Sequence, residues 1–241
     1  MRDNNYYEEL GMKEFPLYLK VLYNIVVGFL YGFSHLYWPH TYENVETLAP
    51  KGEYPGRVII CNHTSMPEVV VVVAAMWRRG RRVRPMFKSE FGDNVFLGWL
   101  FTAVAGGIEL HRGTADLKAL RAAQHALKRG EDVLIFPEGT RIRTDEAEKN
   151  AQIFGGFALI AQMGKANILP TAVCGFRDLT PAGSKIARPK RVWLRAGEEV
   201  SFKDAPQDLK RNERLDWIEQ ETVARMYAIR DDLRLEHPGR K

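Results

Sequence analysis

The sequence predicts an α/β fold in which helices flank a central sheet, and three observations support this prediction. Short, wholly apolar runs such as Val58–Cys61 have the composition of strands buried on both faces. Segments with apolar residues at helical spacing lie between these runs, as in a sheet with helices packed against it. The length of 241 residues, with 45% hydrophobic residues, suits one domain or one domain with an added terminal element.

The first 50 residues are predicted to form a membrane-associating helical segment. Phe15–Trp38 is apolar and rich in aromatic residues, and Val21–Tyr42 contains no Asp, Glu, Lys or Arg. Its tyrosines and tryptophan are side chains that prefer the headgroup level of a bilayer, and polar residues and glycines interrupt the run. We therefore expect a helix, or a helix pair, that lies in the membrane interface or is shallowly inserted, rather than one that spans the membrane. A helix docked on a soluble core is the alternative.

Residues 51–241 begin within the turn-rich linker Pro50–Gly56 and carry the alternating pattern. Glu68–Arg79 stays open between strand and helix, because its valine run favours a strand and its length favours a helix. The other predicted strands are Val58–Cys61, Arg82–Phe87, Asp132–Phe136 and Ile168–Cys174, with edge strands at Arg191–Arg195 and Glu199–Phe202. The predicted helices are Ala115–Arg129, Phe157–Met163 and a C-terminal helix with one face running from Leu215 to Leu233. Pro170 predicts an edge strand or a bulge for Ile168–Cys174.

Charge and cysteine content narrow the function classes. The net charge of +5 and six basic residues between Arg78 and Lys88 favour an anionic partner, although a solvated basic face explains them equally well. No nucleic-acid recognition motif accompanies the charge, so we expect no nucleic-acid partner. Cys61 and Cys174 lie inside apolar runs and read as buried, reduced thiols. No Cys/His cluster or H-E-x-x-H pattern is present, so we predict no metal site.

The segment Cys61–Glu68 directly follows a predicted strand, where α/β folds place reactive groups. His63 can act as a general base near neutral pH. On one continuous helix His63 and Glu68 would lie about 140° apart, so pairing requires His63 in a turn and Glu68 in the first helical turn. Pro67 supports such a break. Ser65-Met-Pro-Glu68 also matches a helix capping box, so both roles stay open for Glu68.

Three further segments complete the pattern. Gly106–Gly113 contains Arg112, whose guanidinium suits phosphate. Phe136–Arg141 places charged residues beside Gly139 at the end of a predicted strand. Ile168–Val173 is an apolar strand with an internal proline.

Taken in order, N-H-x4-acid, G-x-I-x-x-x-R, F-P-E-G-T-R and the apolar proline strand resemble the motif set of the PlsC-type 1-acylglycerol-3-phosphate acyltransferases, a family of glycerolipid acyltransferases. The resemblance covers about Arg57 to Phe202, and F-P-E-G-T-R is its most specific part. It implies a glycerol-3-phosphate acyltransferase-like sheet. It also implies that residues 51–241 form the catalytic domain of an O-acyltransferase.

The resemblance also implies site residues and partners. His63 would be the general base, and Glu68 would orient it. The implied substrate-binding residues are Lys88, Arg112, Glu138, Gly139, Thr140 and Arg141. No cofactor is implied. The implied partners are a lysophospholipid acceptor, an acyl-coenzyme A or acyl-acyl carrier protein donor, and the cytoplasmic face of the cell membrane.

Two departures from the family pattern bear on the acceptor. The motif acid is Glu68 where the family usually has aspartate, and Gln152–Phe157 lacks a lysine that the family often has there. The leading interpretation is acylation of 1-acylglycerol-3-phosphate to phosphatidic acid. The alternatives are another acceptor, such as a different lysophospholipid, a glycolipid or an amine, and a non-catalytic lipid- or membrane-binding relative.

Overall fold

The computed structural model describes residues 4–91, 94–111, 116–177, 179 and 188–238. The described helices are α1 (Asn4–Glu9), α2 (Leu17–Tyr37), α3 (Val45–Leu48), α4 (Pro67–Arg78), α5 (Val95–Trp99), α6 (Leu117–Lys128), α7 (Asp145–Lys149), α8 (Gly156–Gly164) and α9 (Arg211–Glu236), with a 3-10 turn at Ser89–Phe91 and a π-helical turn at Leu100–Val104. The described strands are β1 (His40–Glu43), β2 (Val58–Cys61), β3 (Val83–Lys88), β4 (Ile108–Leu110), β5 (Asp132–Ile135), β6 (Ile168–Cys174) and β7 (Val192–Ala196).

These strands form one sheet in the order β1-β7-β6-β2-β5-β3-β4. From β6 to β4 every neighbouring pair is parallel, while β7 runs antiparallel to β6 and parallel to β1. The parallel part therefore has two distinct edges. We call the residues that follow β2, β5, β3 and β4 the carboxyl edge, and those that precede β2, β3 and β5 the amino edge.

Helices cover both faces of the sheet, which confirms the predicted fold class. Apolar residues of α6, α8 and α9 pack against one face, beside Val58, Ile60 and Val133. On the other face α4 packs against Ile59 and Cys61. The segment that the sequence left open between strand and helix is thus helical. Its valines pack against the sheet instead of joining it.

The sheet corrects two predicted edge strands and decides between the two alternatives for Pro170, which were an edge strand and a bulge. β6 lies in the interior, between β7 and β2, so Pro170 does not mark an edge strand. Pro170 lies at a bulge. Thr171 pairs with Ala196 and Ile168 with Val200, so three steps along β6 are matched by four steps along the partner segment. β7 is likewise interior, and of the predicted strand Glu199–Phe202 only Val200 makes a bridge among the described residues.

The edge beside β7 is formed by β1, which lies within the first 50 residues. His40 pairs with Val192 and Glu43 with Arg195, so the sheet includes residues of the predicted N-terminal segment. The sequence of β1 is polar, and no apolar run marked it as a strand.

The chain before α2 is tied to the amino edge. The buried Arg84 side chain donates hydrogen bonds to the carbonyl oxygens of Tyr7, Glu8 and Leu10. The Met12 N–H donates to a carboxylate oxygen of Glu131. These contacts join residues far apart in the sequence and fix where α2 begins.

One face of α2 docks on the domain and the opposite face is exposed. Leu19, Tyr23 and Val27 are buried, and the Trp77 indole N–H donates to Asn24 Oδ1 at 2.9 Å. The outward face is apolar and exposed at Leu17, Tyr18, Val21, Ile25, Phe29, Phe33 and Leu36. By length and composition alone, α2 could cross a membrane. The helix is therefore docked, as in the alternative prediction, and its opposite face is apolar and exposed.

Candidate active site

The site lies at the carboxyl edge, between the ends of the neighbouring strands β2 and β5. Asn62 directly follows β2, and its side-chain amide continues the strand ladder. Nδ2–H donates to the Val173 carbonyl at 3.0 Å, and Oδ1 accepts the Val173 N–H at 2.8 Å. Because both ends of the amide are bound, the next residue, His63, leaves the sheet at a fixed point.

His63 pairs with Glu68. Nδ1 of His63 lies 3.0 Å from Oε2 of Glu68. A carboxylate only accepts hydrogen bonds, so Nδ1 carries the hydrogen and the Nε2 lone pair is left free. Nε2 makes no hydrogen bond to a described residue, and the His63 side chain is 13% exposed. The ring packs on Phe136, with 4.4 Å between the ring centroids. The imidazole is thus oriented on one side and open on the other.

Glu68 is fully buried and has three donors. Oε2 also accepts the Thr64 N–H at 2.7 Å, and Oε1 accepts the Thr64 hydroxyl. Pro67 begins α4, so His63 lies in the turn and Glu68 in the first helical turn, as pairing requires. The Glu68 carboxylate bonds to Thr64 rather than to the Ser65 N–H that a capping box would use. The residue before Pro67, Met66, has no side-chain cap among the described residues.

Glu138 approaches His63 from β5. It is 3% exposed, and Oε2 accepts the backbone N–H of His63 at 2.6 Å. Oε1 accepts the hydroxyl of Tyr227 on α9 at 2.9 Å. The pKa of Glu138 is raised to about 7, chiefly by burial and to a smaller extent by the nearby Glu68, while the His63 N–H and the Tyr227 hydroxyl act to lower it. Glu138 therefore holds the backbone of His63 and can titrate near neutral pH.

The turn after Glu138 is bound to the same loop. Gly139 has a φ of 62°, a left-handed conformation that favours glycine. The Ile142 N–H donates to the His63 carbonyl at 2.7 Å, so His63 is held to this turn through both its N–H and its carbonyl. Thr140 and Arg141 are exposed, and Arg141 has no ion pair with a described residue.

Two further predicted site residues, Lys88 and Arg112, do not belong to the group of side chains around His63 that the structure describes. Lys88 is the last residue of β3, the strand next to β5, and is partly exposed. Arg112 lies outside the described residues, two positions after the end of β4. His63, Glu68 and Glu138 are thus brought into direct contact, and Lys88 lies farther along the same edge.

Tyr227 was missed by sequence reasoning. It is 89 residues from Glu138 and appears in the sequence only as one aromatic residue of a long helix. Asn62 and Thr64 lay inside a segment that was singled out, but their bonds to Val173 and Glu68 have no sequence signature beyond polar residues after a buried strand.

A possible metal-binding group lies elsewhere. Among the described residues, the carboxylates of Glu43 and Glu236 and the ring of His237 have donor atoms within 4.8 Å of one another. The Arg195 guanidinium bonds to both carboxylates and occupies the space between them. This group is therefore a structural ion-pair cluster between β1, β7 and α9.

The sequence of this chain is similar to those of known acyltransferases. The model of a family described as Acyltransferase matches residues 40–174, which contain His63, Glu68 and Glu138. A 1-acyl-sn-glycerol-3-phosphate acyltransferase of Bacillus subtilis (strain 168) is 29% identical over 149 residues, covering 62% of this chain and 69% of the relative. One of Streptococcus pneumoniae (strain ATCC BAA-255 / R6) is 25% identical over 195 residues, covering 80% of this chain and 66% of the relative. This chain thus spans about two thirds of the length of these relatives.

A solved crystal structure has a similar fold. The crystal structure of the 1-acyl-sn-glycerophosphate (LPA) acyltransferase PlsC from Thermotoga maritima superposes with a TM-score of 0.59 at 21% identity. The match covers 88% of this chain and 80% of that one. At this identity the likeness establishes the fold. Tyr227 lies outside the residues that the family model matches.

Proposed function

The chain belongs to the acyltransferase family, and from this premise we propose that it transfers a fatty acyl group from an acyl thioester to the free hydroxyl of 1-acylglycerol-3-phosphate, giving phosphatidic acid. The printed activity of the two bacterial relatives supports this acceptor. The observation that carries the proposal is the His63–Glu68 pair. It combines a 3.0 Å Nδ1–carboxylate bond with an open Nε2 at the carboxyl edge of the sheet.

In the proposed reaction, His63 Nε2 takes the proton of the acceptor hydroxyl as that oxygen attacks the thioester carbonyl. Glu68 holds the ring and stabilises the imidazolium that forms. When the tetrahedral intermediate collapses, the carbon–sulfur bond breaks and the imidazolium returns its proton to the departing thiolate. The new ester bond joins the acyl carbon to the acceptor oxygen, and no acyl-enzyme forms. Alignment of the two substrates lowers the entropic part of the barrier.

The acceptor phosphate needs cations near this base. Arg141 is exposed in the turn that is bonded to His63, and Lys88 ends a strand at the same edge. We assign Arg141 and Lys88 to phosphate binding, together with Arg112 on its motif position. Gly139 and Thr140 would shape the same acceptor site.

Glu138 and Tyr227 are proposed as positioning residues. The carboxylate accepts the His63 N–H, and the Tyr227 hydroxyl binds its other oxygen. Since the loop that carries His63 has this carboxylate as a fixed point, displacement of Glu138 would move the imidazole relative to the substrate. Tyr227 thereby connects α9 to the site.

We further propose that the outward face of α2 lies on the cytoplasmic face of the cell membrane. Leu17, Phe29 and Leu36 on this face are 76%, 70% and 84% exposed, whereas the opposite face packs on the domain. An apolar patch of this extent on one side of a docked helix is typical of a membrane contact. Such a contact would place the enzyme where its acceptor and product reside.

The test is turnover by the purified full chain against a panel of acceptors with both acyl-coenzyme A and acyl-acyl carrier protein, with products identified by mass. We expect phosphatidic acid from 1-acylglycerol-3-phosphate, and none with His63→Ala. Turnover only on an acceptor without a phosphomonoester would assign the chain to the second candidate function, acylation of another lysophospholipid, which the missing lysine in Gln152–Phe157 favours. No turnover on any acceptor would overturn the enzymatic proposal and leave a lipid-binding role.

A further inference from the structure

A cavity of about 820 Å3 opens at the amino edge of the sheet, on the opposite side from His63. Its walls come from the loops before β2, β3 and β5 and from the residues around the start of α2. The strand β2 alone separates the two edges by about 13 Å, from four residues at ~3.3 Å each. The cavity therefore does not belong to the candidate active site.

The lining of this cavity is strongly basic. It contains six cations and two acidic residues, Glu53 and Glu131. The six cations are Lys13, Lys20, Arg81, Arg82, Lys128 and Arg129. The carboxyl ends of α4 and α6 also meet here, and each contributes a partial charge of roughly −0.5. These two helix ends offset about one of the four excess positive charges, and a net positive cavity of about three charges is left.

The six cations divide into two sets. The arginines are held: Arg81 pairs with Asp132 at 2.8 Å, Arg129 pairs with Glu131 at 3.3 Å, and Arg82 lies over the Tyr23 ring at 4.7 Å. The ammonium groups of Lys13, Lys20 and Lys128 have no hydrogen bond or ion pair with another described residue. Three cations that come from three different elements are thus free to meet one anion.

The surroundings indicate where that anion comes from. Lys20 lies on α2 three residues after Leu17, so the two side chains are neighbours on the helix surface, and Leu17 is 76% exposed at the start of the outward face. Lys13 lies just before that helix. The cavity is therefore next to the start of the outward face of α2. A soluble phosphate ester would need no apolar surface beside its site, whereas a phospholipid presents a phosphate directly next to its acyl chains.

We propose that the amino-edge cavity binds the phosphate headgroup of an anionic phospholipid, and that Lys13, Lys20 and Lys128 are the residues that recognise it. The inference rests on the proposed membrane contact of α2. It adds that the protein prefers membranes that contain anionic phospholipids. It assigns the two edges of the sheet to different lipids, since the acceptor is bound at the carboxyl edge and a lipid that is not turned over is bound at the amino edge.

The experiment measures partition of the purified full chain onto phosphatidylcholine vesicles with and without phosphatidylglycerol. The test variant carries Lys13→Gln, Lys20→Gln and Lys128→Gln. The matched control carries Lys149→Gln, Lys165→Gln and Lys203→Gln, three exposed lysines away from the cavity. Each basic residue near an anionic surface contributes about fivefold to partition, so we expect roughly 100-fold weaker binding of the test variant to phosphatidylglycerol vesicles. Binding to pure phosphatidylcholine should be unchanged, and the control should lose far less.

Equal losses in the test and control variants would overturn the proposal, because total charge would then be the cause. Binding of inorganic phosphate that is lost in the test variant, with vesicle partition unchanged, would also overturn it in favour of a soluble ligand. Failure of the wild-type chain to bind either vesicle would overturn the membrane contact and this inference together. Acyl transfer to a micellar acceptor reports the proposed catalytic function separately, and the test variant should retain it.

Discussion

The two edges of one parallel sheet hold buried carboxylates in different ways. At the amino edge, Asp132 is fully buried between two guanidinium groups, 3.3 Å from that of Arg57 and 2.8 Å from that of Arg81. At the carboxyl edge, the equally buried Glu68 and Glu138 accept from backbone N–H groups, hydroxyls and an imidazole. Neither of these two has an Arg or Lys partner among the described residues.

This difference in partners suggests that the buried carboxylate at the amino edge stabilises the fold and that those at the carboxyl edge serve the reaction. A guanidinium does not lose its proton in a protein, so it fixes the charge of a carboxylate beside it. Uncharged donors leave a buried carboxylate free to titrate, and the pKa of Glu138 is accordingly raised to about 7 by burial. We therefore expect changes at the amino edge to cost stability and changes at the carboxyl edge to cost rate. Five substitutions, two of them with a matched control, test this expectation.

The largest expected effect is that of His63→Ala. A positioned general base contributes about 10²–10⁴-fold to rate, and we expect a loss of kcat in that range. The side chain is largely supported by Phe136 and Glu68 rather than supporting them, so the melting temperature should change little. Acyl transfer and thermal unfolding, measured on the same preparation, check both parts. Full activity would remove His63 from the reaction.

At the opposite edge, Asp132→Asn should cost stability instead. Removing one partner of a buried ion-pair network leaves buried guanidinium charge uncompensated, at about 3–5 kcal/mol in the free energy of unfolding. Denaturant unfolding measures this loss, while kcat per folded molecule should be near normal. Glu199→Gln is the matched control, because Glu199 is a 16% exposed partner of the same Arg57. Equal effects of the two substitutions would contradict the comparison.

Glu68→Gln tests whether a buried carboxylate at the carboxyl edge acts through its charge. The amide oxygen can accept from His63 and Thr64 at Oε2, and the amide nitrogen can donate to the Thr64 hydroxyl, so the melting temperature should be kept. A charge-assisted hydrogen bond contributes about 1.5–3 kcal/mol, which predicts roughly 10- to 150-fold lower kcat.

Glu68→Asp is the companion variant to Glu68→Gln. It keeps the charge but shortens the side chain, so we expect a loss of rate from the lengthened bond to His63. Near-normal kcat in Glu68→Gln would make Glu68 a structural residue.

The smallest effect is expected for Tyr227→Phe. The hydroxyl lowers the pKa of Glu138, so its loss should move that pKa further above about 7. Because the ionised carboxylate accepts the His63 N–H, the acid limb of the kcat profile should move to higher pH. A hydrogen bond of about 1 kcal/mol corresponds to a shift of somewhat under one pH unit.

The matched control is Tyr54→Phe, which removes another tyrosine–carboxylate bond, to Glu199 at 3.1 Å. This control should not move the profile. An unchanged profile in Tyr227→Phe would make the hydroxyl a packing feature of α9.

Sequence reasoning predicted the parts of the fold that depend on local patterns. Val58–Cys61 was identified because strands buried on both faces are wholly apolar. The polar strand His40–Glu43 was missed, because its pairing with β7 depends on residues 152 positions away along the chain. Pro170 indicated an edge strand or a bulge because proline lacks an N–H, and the structure shows the bulge, in an interior strand.

In the site, sequence spacing indicated that His63 and Glu68 could pair. It did not decide whether Glu68 pairs with His63 or caps the helix, because both roles place Glu68 in the first helical turn. The bond from Glu68 to Thr64 instead of Ser65 depends on how the loop folds over Asn62, which no spacing specifies. The bond of Tyr227 to Glu138 depends on how α9 packs on the sheet, mainly against β6. Such long-range placement has no local pattern.

Arg84 and Glu131 hold the residues before α2 by hydrogen bonds, and these bonds can form only after both residues have been synthesised. Met12 and Glu131 are 119 residues apart, so at about 5–20 residues per second Glu131 is synthesised roughly 6–24 s after Met12. Until then α2 has neither its complete anchor nor the finished domain to cover its buried face, and the helix is apolar on both sides. A bilayer near the ribosome is the first surface that can shield it. We therefore expect the order of synthesis to favour membrane contact before the sheet is complete.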